Sequence, residues 1–471
     1  MAAIATVLCF VGILGLMWLD REPKVRISPA MWIVQAWFFL ACSRPVARWL
    51  GIDDPQGSVT AVLSEGSPVD RLVGTVLLLL GLIVLLNRRK DVAISLRKNW
   101  PILLFFAYCL VSLLWSDFPM VAFKRWIRAI GDLVMVLIVW TDSRPFDAFK
   151  RLLARSAYSL IPLSILLVKY YPSLGRVYGL FLGEVGYTGV TGGKNELGAI
   201  CMLFGAATVW RILDLFSSEY QTQYRLRQLV VQFTMISMTL WLLWIADSMT
   251  SLSCFFLATG VLCCMRLRLF TRRRFVVHML ALITVLIPAS VALLGASPTL
   301  LEAMGRNPTL TDRTLIWTEV IKLVPNQWVG SGYQSFWLGP RLETMIADVT
   351  HWWVPNQAHN GYLEIFANLG WIGVGLLALV IVWGYFRTVR ACRRNVSLTH
   401  LLLAFCLVGV VSNITEASFF RMAMPVWLFF MLAIMAPISF GKRAFKAMVR
   451  SELTINQKIR RSLSDDALQA I

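Results

Sequence analysis

The sequence predicts an all-α, polytopic integral membrane protein with about 12–13 transmembrane helices and one large outer loop holding short helices. Two observations predict it. Of 471 residues, 58% are hydrophobic and only 15% are charged, with a mean hydropathy of +0.67; a soluble domain carries roughly a quarter charged. The apolar residues also come in blocks of about 15–20, the length a helix needs to cross a bilayer core. A membrane barrel would show short alternating segments instead.

The blocks lie near 2–19, 29–43, 70–86, 100–116, 127–140, 152–170, 195–210, 228–246, 250–265, 275–294, 361–386, 399–414 and 422–440. The first resembles a signal peptide in length. It lacks a basic start and a small-residue cleavage site, so it reads as a span. The second is short and contains Gln35, which leaves a re-entrant segment open and lowers the count from thirteen to twelve. Alternate connections carry 31 of the 45 lysines and arginines, the remaining connections carry 13, and Lys169 lies near a span end. The richer side is cytoplasmic by the positive-inside rule. Most of the formal charge of +19 is therefore topology rather than a nucleic-acid site. The nine cysteines fall in spans or on the basic side, without zinc-ligand spacing. No metal or cofactor is expected.

Four parts follow: helices over 1–294, the outer loop over 295–360, helices over 361–440, and a basic cytoplasmic tail over 441–471. A loop of this length is a functional candidate rather than a connector. Inside it, "TLTDRTLIWTEVIKLVP" predicts a helix, with Thr309, Thr311 or Asp312 as cap and Pro325 past its end. Trp317, Val320, Ile321 and Val324 form one apolar stripe. Arg313, four residues before Trp317, starts the same face. That stripe is expected to rest on the membrane domain or the lipid interface.

Cations at outer span ends oppose the positive-inside bias, and a phosphate at headgroup level would account for them. Lys124, Arg125 and Arg128 precede a span in "FKRWIR", with Arg125 and Arg128 on one helix face. The alternative is that they snorkel to headgroups. Lys194 in "TGGKNELG" begins a helix, where free N–H groups favour an anion; a solvated lysine is the plainer reading. Arg306 and Arg313 lie in "GRNPTLTDRT", and Arg313 has Asp312 and Glu319 as possible surface partners. Arg421 lies close to Glu416, and Arg341 reads as a loop residue. Arginine matches phosphate oxygens in a bidentate way.

His359 opens the span after the loop, in "NQAHNGYLEIF". A histidine there is either a polar cap or a base whose ordinary pKa suits proton transfer. His351, beside "WW", is its rival within the loop. Asp53 and Asp54 adjoin Gly and Pro and read as a turn. Asp247 reads as a cap for the following helix.

These motifs resemble the O-antigen polymerase and ligase superfamily, especially its exopolysaccharide-polymerase branch. His359-Asn360, nine residues, Gly370, two residues and Gly373 fit the ligase-branch signature. "TLTDRTLIW" after Gly305-Arg306, and "GSGYQSFW" at 330–337, fit two further stretches. Asp312 stands where the family usually has Gly. Gly193-Lys194-Asn195 stands where a second histidine is common. The resemblance implies a metal-independent, GT-C-like glycosyltransferase in the bacterial inner membrane, with its active site facing the periplasm. It implies transfer of an undecaprenyl-pyrophosphate-linked glycan to a hydroxyl of an acceptor. His359 would be the general base, and Arg313 would stabilise the leaving pyrophosphate. Arg125, Lys194, Arg306, Lys124, Asn360 and Arg128 would help bind substrate. Implied partners are the lipid-linked donor, the acceptor glycan, membrane lipids, a chain-length regulator and a flippase. The expected activity is polymerase. Ligase or protein O-oligosaccharyltransferase activity is the alternative, and transport or a non-catalytic export role stands behind both.

Overall fold

The computed structural model describes residues 1–471 except 22–25, 53–66, 179–184, 218–221, 268, 271–272, 294–310, 351–353, 393–396, 422–423 and 438–471. Met1–Met435 forms one compact unit and Ala436–Ile471 another, nearly all of it outside the described residues.

The principal helices in chain order are α1 (Ala2–Leu19), α2 (Met31–Ala41), α3 (Pro68–Asn87), α4 (Arg89–Lys98), α5 (Trp100–Val111), α6 (Pro119–Trp140), α7 (Pro145–Tyr170) and α8 (Lys194–Ser217). They continue as α9 (Thr222–Ala246), α10 (Met249–Cys264), α11 (Arg274–Leu293), α12 (Thr311–Leu323), α13 (Pro340–Met345), α14 (Gly361–Cys392), α15 (Ser397–Ser412) and α16 (Pro425–Met435). One two-stranded antiparallel ribbon, Arg176–Tyr178 with Val185–Tyr187, lies between α7 and α8.

Each of the thirteen apolar blocks forms a helix. Among the described residues, six helices are long and apolar enough to cross a membrane: α1, α3, α7, α8, α9 and α14. The count becomes seven if α4 and the helix at Trp100–Trp115, bent by 87°, form one span. The other blocks give shorter apolar helices, or, in α6, a 22-residue helix whose first half carries Lys124, Arg125 and Arg128. By length and composition, these remaining helices among the described residues fall short of the six. The 11 residues of α2 rise only about 16 Å, roughly half a ~30 Å core. Its Gln35 turns into the protein, where Nε2 donates to Ser156 Oγ of α7 at 3.0 Å while the buried Oε1 has no partner among the described residues.

The last two helices lie deepest. Every residue of α16 is buried, as is every residue of α15 after its first. A helix that is apolar all round belongs in an interior. Phe429 of α16 meets Phe38, Phe204 and Phe405 at ring-centroid distances of 6.0, 5.5 and 5.0 Å. At the other extreme, only 6% of the apolar window of α1 is buried, which leaves that face for lipid.

The outer loop packs on its own second half and on the start of α14. Ile316 and Val320 of α12, and Val324 just past its end, are buried with Phe336, Trp337, Leu342, Met345, Ala358 and Phe366. This corrects the stripe read from sequence: Ile316 is buried, whereas Ile321 is 52% exposed. Phe336, Trp337, Leu342 and Met345 of the loop pack with the 316/320/324 row, and position 321 turns outward. Trp317 still faces inward, donating Nε1–H to Ala358 O at 2.8 Å.

Gly370 ties the loop to α14. Its φ of +64° and ψ of −166° break the helix there. The next two amides donate outward, Trp371 N–H to Gln327 O at 2.8 Å and Ile372 N–H to Trp328 O at 3.1 Å. A Cβ on Gly370 would lie 2.2 Å from the Trp328 carbonyl carbon, so glycine is required both for conformation and for approach.

Candidate functional site

The site is assembled where the start of α14 meets the turn between α15 and α16. Gly361 N–H donates to Asn413 O and Glu416 O at 2.8 and 3.0 Å. A Cβ on Gly361 would come within 2.1 Å of Asn413 Oδ1. That same oxygen accepts from Ser418 N and Phe419 N at 2.8 and 3.0 Å, which shapes the turn holding Glu416.

Asn360 is the cap of α14. Its Oδ1 accepts from Tyr362 N and Leu363 N at 3.0 and 3.1 Å. The cap position of α14 is therefore filled by Asn360 and not by His359. Asn360, expected to bind substrate, has its acceptor oxygen committed to the backbone. His359 takes a left-handed conformation, φ +50°, and its Nδ1 lies 3.5 Å from Glu416 Oε2. Its Nε2 has no partner among the described residues.

Glu416 joins the candidates. Its Oε1 accepts from Asn195 Nδ2 at 3.0 Å and lies 3.4 Å from Arg313 Nη2. Arg313 Nη1 also donates to Thr415 O at 2.7 Å. Arg313 therefore pairs with Glu416 and not with Glu319. Glu319 pairs instead with Lys322 at 2.9 Å, and the Asp312 side chain is outside the described residues. Both partners of the Arg313–Glu416 pair are partly exposed, at 28% and 19%. The contact is thus open to exchange with an incoming anion.

A second cluster adjoins it. Arg125 donates to Gln334 O. Gln334 Nε2 and Tyr333 Oη both donate to Phe420 O, at 3.0 and 2.9 Å. Burial holds the Tyr333 hydroxyl well above the ordinary tyrosine pKa, so it stays a neutral donor. Lys124 and Arg128 are exposed, so of the three cations in "FKRWIR" it is Arg125 that turns inward. Arg421 bonds Gln357 Oε1 and Ala417 O rather than Glu416. Arg341 pairs with Asp117.

Lys194 lies 3.7 Å from Asp247 Oδ2. Asp247 is not the cap of α10, a position taken by Ser248. It occupies the turn before it, at φ +46°. A cavity of about 220 Å³ opens beside this pair, lined among others by Lys194, Asn195, Thr250, Gln357, Glu416 and Ser418. His359 and Arg313 meet its wall through Glu416. Arg306, His351, Asp53 and Asp54 lie outside the described residues.

Among the described residues, the non-glycine positions with positive φ are Asp247, Gln334, His359 and Phe420. All four belong to the clusters just described. Left-handed backbone at a side-chain-bearing residue costs about 1–3 kcal/mol and gathers at functional sites. Sequence reasoning missed Glu416 as the centre, together with Asn195, Tyr333 and Gln334. The available signal was a polar "SNITEAS" turn between two fully apolar blocks.

A family described as "O-Antigen ligase" matches residues 233–378, which include Arg313, His359 and Gly370. The chain is also 24% identical over 321 residues to "Exopolysaccharide production protein ExoQ" of Rhizobium meliloti (strain 1021), covering 65% of this chain and 69% of that protein. Together they support the O-antigen ligase and polymerase family, on its ExoQ-like side, and an activity of the ligase or polymerase type.

Proposed function

We propose that the protein is a polysaccharide polymerase at the outer face of the bacterial inner membrane. It transfers a glycan from undecaprenyl pyrophosphate to a hydroxyl of an acceptor repeat unit. The observation that carries this reading is the His359–Glu416–Arg313 cluster beside the cavity, with Asn360 rather than His359 capping α14.

The chemistry needs two things of the chain. The acceptor O–H attacks the anomeric carbon while the bond from that carbon to the pyrophosphate oxygen breaks. The proton goes to His359 Nε2. Glu416 accepts from Nδ1–H, which selects the tautomer with Nε2 free. Negative charge builds on the departing pyrophosphate, and Arg313 is released from Glu416 to receive it, with Arg125 and Lys194 in support. The donor is already activated, so neither a covalent enzyme intermediate nor a metal is required.

The test uses purified full-length protein, undecaprenyl-pyrophosphate-linked repeat units and EDTA. The polymerase reading predicts a ladder of long chains on the lipid. Because the matching family is described as an O-antigen ligase, a second acceptor, lipid A core, is run in parallel. Transfer to the core without chain growth would replace the polymerase reading with the ligase one. Inhibition by EDTA that added metal reverses would overturn metal independence.

A further inference from the structure

A second cavity, of about 690 Å³, lies away from the candidate site, between the end of α1, the segment entering α2, the start of α7 and the end of α8. Six cations line it: Arg21, Arg26, Lys150, Arg151, Arg155 and Arg211. The lining carboxylates are Asp20 and Asp147. Asp20 is engaged by Arg211 at 3.1 Å, and Asp147 is the other carboxylate in the lining.

The positive-inside bias explains why basic residues lie on this side of the chain. It does not explain their convergence from four separate segments on one cavity. Like charges gathered this way repel unless an anion joins them. The volume lies within the ~300–1,000 Å³ range of ligand pockets.

The remaining lining identifies the anion further. Met17, Ile27, Pro29, Trp32 and Ala154 give the cavity an apolar side. Arg155 stacks over Trp32 at 4.2 Å, holding its guanidinium at the boundary between the two. The adjacent face of α1 is uncovered by protein, with Leu14 and Trp18 65% and 66% exposed. A ligand here meets cations at one end and the lipid-facing surface of α1 at the other.

We propose that this cavity is a binding site for an anionic phospholipid of the basic-side leaflet, with its phosphate held by Lys150, Arg155 and Arg26 and its chains along α1. Basic pockets between membrane helices on that side recognise such headgroups. The shared chemistry with a soluble ligand is the phosphoryl anion, and the apolar wall favours the lipid as its source.

The test is native mass spectrometry of delipidated full-length protein titrated with cardiolipin. Phosphatidylcholine and inorganic pyrophosphate serve as separate probes. The wild type binds cardiolipin and not phosphatidylcholine, and an equimolar amount of pyrophosphate does not displace it. Arg26→Gln with Lys150→Gln weakens cardiolipin binding about thirtyfold, from roughly 1 kcal/mol per basic residue. The control Lys90→Gln with Arg97→Gln, two exposed cations of α4, leaves it unchanged. Melting temperatures confirm that both variants fold. Equal loss in the control would mean diffuse charge attraction and overturn the site. Displacement by equimolar pyrophosphate would overturn the lipid as its source. Binding that survives Arg26→Gln with Lys150→Gln would overturn the assignment of the cavity.

Discussion

Two glutamates near the start of α14 hold their neighbourhoods in opposite ways. Glu364 is 5% exposed and saturated by neutral donors: Trp337 Nε1 at 2.8 Å, Ala358 N at 2.9 Å and Asn368 Nδ2 at 3.2 Å. Glu416 is part-exposed and faces a cation, a histidine and an amide at 3.4, 3.5 and 3.0 Å. The first carboxylate fastens the outer loop to the membrane helices. The second makes longer contacts with groups that a substrate can take over. Saturated short bonds mark architecture; loose, partly solvated contacts between chemically active groups mark a site.

The comparison yields predictions of decreasing size. Arg313→Ala removes the cation expected to meet the leaving pyrophosphate. Turnover falls about 10²–10³-fold, and the melting temperature stays near wild type, because Arg313 is partly solvated and its ion pair contributes little to stability. Loss of fold in Arg313→Ala would merge the two classes. Glu364→Ala leaves two buried donors, Trp337 Nε1 and Ala358 N, without an acceptor, while Asn368 Nδ2 keeps the Glu364 carbonyl, and destabilises by about 3 kcal/mol. Denaturant melts of the purified protein read this directly, and an unchanged midpoint would remove the architectural role. Glu416→Gln keeps the shape and weakens the hold on His359. Turnover drops about tenfold, with a smaller change in substrate affinity. Lys124→Ala with Arg128→Ala is the smallest, within about 0.5 kcal/mol in stability and twofold in rate, since both side chains are exposed.

The fold class was legible because lipid solvation demands long apolar helices, and every apolar block did form one. The span count was less legible. The blocks behind α2, α15 and α16 look like spans by composition, yet α15 and α16 are apolar because protein surrounds them. Periodicity found the inward face of α12 only to within one residue, since the partner wall decides between Ile316 and Ile321. Arg313 and His359 stood out by residue type and position. Glu416 did not, because its meaning comes from Arg313, Asn195 and His359, which lie 103, 221 and 57 residues away in sequence. Asn360 and His359 are adjacent and both suit a helix start, so only the hydrogen bonds show which of them is the cap.

That distinction gives the most direct test of the account. Turnover on undecaprenyl-pyrophosphate-linked repeat units and the melting midpoint are measured together for His359→Ala and Asn360→Ala. The account predicts that His359→Ala loses turnover about 10²–10⁴-fold with its stability kept, and that Asn360→Ala loses about 1 kcal/mol of stability with turnover largely kept. If His359→Ala polymerises at the wild-type rate, or loses stability as a cap would, His359 is not the base.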